Sequence, residues 1–98
     1  EIVSIAELAT KTIVQVQVGN MSENGEFLPN GGGSGVVISE DGLIMTNHHV
    51  IDNSTQVRVI FEDGRMYESE IIGSDRLTDI GLLKISASNL VPISMSQT

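Results

Sequence analysis

Apolar residues along this chain recur mostly at every second position, in short runs separated by polar turns. That period belongs to half-buried strands, because successive side chains of an extended backbone point to opposite faces. The start is an exception. Ser4-Ile5-Ala6-Glu7 has the S-x-x-E spacing of a capping box, and Ile5, Leu8 and Ala9 supply a small apolar face, which predicts one short N-terminal helix. From Thr12 the period becomes two, with Val14, Val16 and Val18 alternating with Ile13, Gln15 and Gln17. Asn20 to Asn30 reads as a polar loop, prolonged by the flexible stretch Gly31-Gly32-Gly33-Ser34-Gly35. Two hairpins follow, each turning on Asp-Gly, where glycine takes positive φ at little cost. The first joins Val36-Val37-Ile38 to Leu43-Ile44-Met45 through Asp41-Gly42. The second joins Val57–Phe61 to Arg65–Ile72 through Asp63-Gly64. Ile80–Ile85 reads as a further strand, and Val91-Pro92-Ile93 as an edge segment, since proline cannot donate to a ladder.

Short strands, frequent turns and almost no helix predict an all-β fold, a closed antiparallel barrel or a sandwich. We expect about six strands closing a small barrel. Its core should include Val14, Val16, Val37, Ile44, Val59, Ile80 and Leu82.

Length and charge narrow the picture. The 98 residues make at most one domain, 1–98, with no internal linker. A net charge of −8 argues against nucleic acid or an anionic membrane surface as partner, because phosphate binding draws its affinity from clustered Lys and Arg. Aromatic content of 3% leaves no stacking platform for bases. Cysteine is absent, which excludes disulfides, thiol nucleophiles and thiolate zinc sites. No apolar run approaches the roughly 20 residues of a membrane-spanning helix. Residues 1–10 carry acidic residues and no basic start, so they do not read as a signal peptide.

Two segments carry candidate chemistry: Thr46-Asn47-His48-His49-Val50, and Thr78-Asp79-Ile80-Gly81-Leu82-Leu83-Lys84-Ile85. In an extended segment His48 and His49 point to opposite faces, so they would not chelate one ion together. Asp79 opens an apolar strand, where a carboxylate needs a hydrogen-bond partner. An imidazole donating Nδ1–H to it would satisfy both groups and leave Nε2 free to take a proton. Spacing alone leaves such a pair open between a structural and a catalytic role. The glycine run lacks the Lys and following helix of a P-loop, and the scattered acids do not form a calcium loop. Neither a metal nor a cofactor is expected.

Taken together, Gly33-Ser34-Gly35-Val36-Val37-Ile38, Asp41–Val50, Phe61-Glu62-Asp63-Gly64-Arg65, Ile72-Gly73-Ser74-Asp75 and Thr78–Ile85 resemble, in order, the HtrA/Deg family of trypsin-like serine endopeptidases. The resemblance runs from about Thr12 to Pro92. It implies the N-terminal half of the trypsin-like double barrel, ending near the inter-barrel connector. The family's catalytic histidine falls on His49, which follows Thr46-Asn47-x and precedes Val50, and its catalytic aspartate falls on Asp79. His48 occupies the variable x position and reads as a bystander. Val50 stands where extracellular trypsin-like relatives usually carry a cysteine, and Gly81 stands where the family usually has alanine.

The family's nucleophile lies in a G-N-S-G-G segment of a second barrel, and no such segment occurs in these 98 residues. Ser34 matches the barrel-opening strand, and Ser39, Ser69 and Ser94 lack a glycine-flanked elbow. The resemblance therefore implies a chain that supplies the His and Asp of a Ser-His-Asp triad and is inactive alone. It also implies polypeptide substrates, a second barrel, possible trimerisation with a PDZ domain downstream, and a periplasmic or cell-envelope location. The rival expectation is a non-catalytic β-barrel, a degenerate protease kept for binding a peptide or partner. Intact His49 and Asp79 weigh against it.

Overall fold

The computed structural model describes residues 4–93. The element order is α1 (Ile5–Thr12), β1 (Ile13–Met21), β2 (Phe27–Val37), β3 (Leu43–Asn47), α2 (His48–Ile51), β4 (Gln56–Phe61), β5 (Met66–Asp75) and β6 (Ile80–Ile85). The six strands close into one barrel in the order β1-β2-β3-β6-β5-β4. Every neighbouring pair is antiparallel. Closure removes the free sheet edges that a six-stranded open sheet would present, except along the part of β2 that runs beyond its pairing with β3 at Val36 and Val37.

Helix α1 begins as its capping box dictates: the Ser4 hydroxyl accepts the Glu7 N–H at 3.0 Å. Its apolar positions stay largely in solvent, with Ile5 87% and Leu8 39% exposed, while Thr12 is buried at the junction with β1.

The interior follows the period of two. Val14, Val16 and Val18 of β1 face Val57, Val59 and Phe61 of β4 across a register that pairs Val16 with Val59. Val37, Ile44, Leu83 and Ile85 fill the opposite wall, and Ile51 and Leu90 cap the ends. A fully buried side chain of this size contributes about 1.5–3 kcal/mol, so this apolar column is what holds the barrel closed. Phe61 and Tyr67 meet edge to face, their ring centres 5.7 Å apart.

Four expectations change. Ile80 and Leu82 are not core residues: Ile80 is 41% exposed, Leu82 is half-buried, and the inward positions of β6 are Leu83 and Ile85. The register explains the phase, since buried Ile44 pairs with Leu83 and β6 directs the charged Lys84 outward. Asn20–Asn30 and the glycine-rich stretch are not one long loop: β1 extends to Met21, and β2 starts at Phe27 and runs through the glycines, Gly31–Gly35 pairing with β1 from Val18 to Val14. His48–Ile51 is a short helix and not extended backbone. Val91–Ile93 forms no strand, although the Ile93 N–H donates to the Val37 carbonyl at 2.8 Å.

The first Asp-Gly turn is locked into the barrel. Gly42 has φ 112°, and a Cβ there would lie 2.2 Å from the Ile85 carbonyl oxygen, so both conformation and space demand glycine.

Candidate active site

The site forms where β3 gives way to α2, against the turn between β5 and β6. The first N–H groups of a helix have no partner within it. Here they find one in Asp79: the His48 N–H donates to the Asp79 carbonyl at 2.9 Å, and the His49 N–H donates to Asp79 Oδ1 at 2.8 Å. Asn47 stands at the cap position without bonding its own helix, and its Nδ2 instead donates to the Asp79 carbonyl at 3.2 Å. Asp79 itself has φ 61°, a left-handed backbone that a non-glycine residue adopts only when its surroundings hold it there.

The remaining carboxylate oxygen meets the imidazole. His49 Nδ1 lies 2.6 Å from Asp79 Oδ2, a short, charge-assisted hydrogen bond. The two hydrogen bonds from His49, backbone first and then ring, hold the Asp79 carboxyl below its ordinary range, with the nearby imidazoles adding to the effect. An ionised Asp79 fixes the proton of His49 on Nδ1 and leaves Nε2 as an acceptor. The His49 side chain is 71% exposed and that of Asp79 40%, so the acceptor nitrogen faces open space. Among the described residues, no serine hydroxyl hydrogen-bonds the His49 ring.

His48 behaves differently. Its ring is only 15% exposed and sits against β5, with Nδ1 2.9 Å from Ser74 Oγ. Behind α2, buried Ile51 anchors the helix in the core over Gly81; a Cβ at position 81 would come 2.6 Å from Ile51 Cδ1. The glycine that replaces the family's usual alanine thus makes room for the isoleucine.

Beside His49, an open concavity is lined by Val18 and Asn30–Gly32 on one side and Val50 and Asp52–Ser54 on the other. Its β2 wall pairs with β1 alone, because β3 reaches only Val36 and Val37. The described residues contain no group of three or more His, Asp or Glu arranged to hold a metal ion.

Sequence reasoning singled out His49 and Asp79 but gave no role to Asn47 or Ser74. The cap-type residue just before the histidines was the available signal for Asn47. Ser74 carried none.

These features describe a hydrogen-bonded His–Asp pair on the rim of a small closed antiparallel barrel. Residues 33–98 match the family described as trypsin-like peptidase domain, and the chain belongs to that family. Its relatives include serine endoproteases of the Deg and HtrA type. The chain is 43% identical over 74 residues to serine endoprotease DegS of Haemophilus influenzae, covering 76% of this chain and 22% of that protein. It is 42% identical over 66 residues to a probable periplasmic serine endoprotease DegP-like of Halomonas elongata, covering 67% of this chain and 14% of that protein. Serine protease HTRA1 of Xenopus laevis is 44% identical over 66 residues, again 67% of this chain and 14% of the relative. The chain therefore spans 14–22% of the length of these curated relatives.

Proposed function

We propose that residues 1–98 are the N-terminal barrel of an HtrA/Deg-like serine endopeptidase and supply two members of its catalytic triad. His49 is the general base: Nε2 takes the proton of a serine hydroxyl as that oxygen attacks the scissile carbonyl, then returns it to the leaving amine. Asp79 holds the ring in the Nδ1–H tautomer and stabilises the imidazolium formed in between. The nucleophile and oxyanion hole come from a second barrel outside these 98 residues. The observation that carries this reading is the two-point grip of Asp79 on His49, 2.8 Å to the backbone N–H and 2.6 Å to the ring.

A polypeptide is the substrate class the surroundings favour. The unpaired side of β2 beside His49 offers backbone groups to an extended chain, the way an added strand is recognised. The proposal extends to a homotrimer with a PDZ domain downstream, supported by the HtrA/Deg resemblance. A periplasmic or envelope setting is supported by the Halomonas relative, a probable periplasmic serine endoprotease.

The test is hydrolysis of unfolded casein by a polypeptide that continues through the second barrel. His49→Ala should abolish cleavage, and His48→Ala should leave it measurable. Cleavage at wild-type rate by His49→Ala would overturn the assignment. An extended protein that binds casein without cutting it, whatever stands at position 49, would make this barrel a binding module instead.

A further inference from the structure

We propose that His48 is a positioning residue: its ring, braced on Ser74, fixes the turn that presents Asp79 to His49. Its bearing on catalysis rests on the proposed triad, but the geometry is independent of it.

Asp79 must aim two oxygens at once, one at a backbone N–H and one at a ring nitrogen, 2.8 and 2.6 Å away. That requires a fixed rotation of the β5–β6 turn relative to α2. One attachment cannot fix a rotation, because the turn could pivot about it. The first attachment is at the Asp79 carbonyl, which accepts the His48 N–H at 2.9 Å and Asn47 Nδ2 at 3.2 Å beside the last β3–β6 pair, Asn47 with Ile80. The His48 ring supplies the second, reaching the β5 stem of the same hairpin at Ser74 Oγ, 2.9 Å from Nδ1. Ser74 pairs across the ladder with Gly81, so the ring is tied to the strand pair from which the turn springs. Asp79 also has the left-handed φ of 61°, a conformation with no intrinsic tendency to persist.

The far side of the ring selects its tautomer. His48 Nε2 is buried without a hydrogen bond and lies 3.8 Å from Asp52 Oδ1, while the His48 carbonyl accepts the Asp52 N–H at 2.9 Å. A lone pair at Nε2 would face that carboxylate; an N–H there is attracted to it. His48 is therefore the Nε2–H tautomer, its Nδ1 accepting from the Ser74 hydroxyl. His49 beside it carries the opposite tautomer, with its proton on Nδ1. The groups facing the nitrogens of the His48 ring are Asp52 at the end of α2 and Ser74 of β5.

The experiment uses the 98-residue chain labelled with 15N, comparing wild type with His48→Ala, His48→Asn, Ser74→Ala and the double alanine variant. Ring 15N shifts should report opposite tautomers for the two neighbours. Exchange of the His49 amide with solvent should rise about tenfold in His48→Ala and in Ser74→Ala, while the Val16 and Val59 amides stay protected as in wild type. The double variant should be no faster than His48→Ala, since both substitutions cut one contact. His48→Asn, whose amide reaches the place of Nδ1, should return exchange to near the wild-type rate. The Asp79 carboxyl, followed by 13C shift, should titrate closer to the ordinary carboxylate range in both alanine variants. The proposal is overturned if Ser74→Ala leaves His49 exchange and the Asp79 titration at wild-type values, or if His48→Asn does not rescue while the core amides hold. Should His48→Ala unfold the barrel, Ser74→Ala and His48→Asn decide alone. None of these readouts uses a peptidase substrate, so a failed brace and a failed triad are told apart.

Discussion

The wall built by β1 and β4 and the rim built by α2 and the β5–β6 turn are made on opposite principles. In the wall, inward positions are Val14, Val16, Val18, Val57, Val59 and Phe61, all buried, and neighbouring backbones satisfy each other by register alone. At the rim, exposed polar groups are held by a few hydrogen bonds to one strained residue, Asp79. Burial makes the wall tolerant of any side chain of the right size and greasiness. The rim tolerates little change in chemistry but has little apolar area to lose. Stability should reside in the first region and reactivity in the second.

Substitutions can break that separation, and the largest effect belongs to the rim. In the protein extended through its second barrel, Asp79→Asn should lower kcat about 10⁴-fold, because the wrong tautomer of His49 would face the serine. Its thermal midpoint should move by only a few degrees. A midpoint collapse, with activity lost only through unfolding, would erase the distinction. Next comes the wall. Leu83→Ala should cost about 2–5 kcal/mol in urea unfolding, whereas Leu82→Ala, one position along on the outer face, should cost less than half as much.

The β6 phase is also where the sequence was hardest to read. Apolar residues occupy both phases of Ile80-Gly81-Leu82-Leu83-Lys84-Ile85, and only the charge of Lys84 marks the outer face. In β1 and β4 a glutamine or arginine interrupts the alternation, so their phase was plain. The β2 strand was hidden because glycines have no side chain to show a period, and its pairing is written in the backbone ladder. Helix α2 spans only four residues, too few to display a helical repeat. His49 and Asp79 were legible through their motifs. The grip of Asn47 on Asp79 was not, since it depends on a left-handed turn that brings residues 32 positions apart together.

The two Glu-Asp-Gly turns sharpen the comparison within the barrel itself. Gly42 is pressed against the Ile85 carbonyl, while Gly64, at φ 94°, would carry a Cβ into open space. Gly42→Ala should therefore destabilise by about 2–3 kcal/mol, and Gly64→Ala by about 1 kcal/mol, the cost of the left-handed backbone alone.

The smallest effect is one of pH. Because hydrogen bonds from His49 lower the folded-state pKa of Asp79, its contribution to stability is complete above the unfolded carboxylate value of about 3.9 and is lost as pH falls through the lower folded value. Asp41, lowered by the Ser39 hydroxyl, and Asp63, lowered by the Arg65 N–H, titrate alongside it. The gap in urea midpoint between wild type and Asp79→Asn removes their share. It should close as the pH falls below about 5 and Asp79 is protonated. A gap that widened in acid would reverse the sign of the linkage.

In the proposed triad this barrel carries the base and the orienting acid but not the nucleophile. A fluorophosphonate probe, which reacts with activated serines, tests it directly. The 98-residue chain should remain unlabelled, while the protein extended through the second barrel should be labelled at a serine outside residues 1–98, and lose that label with His49→Ala. Labelling of the 98-residue chain itself, mapped to Ser34 or any other of its serines, would contradict the account.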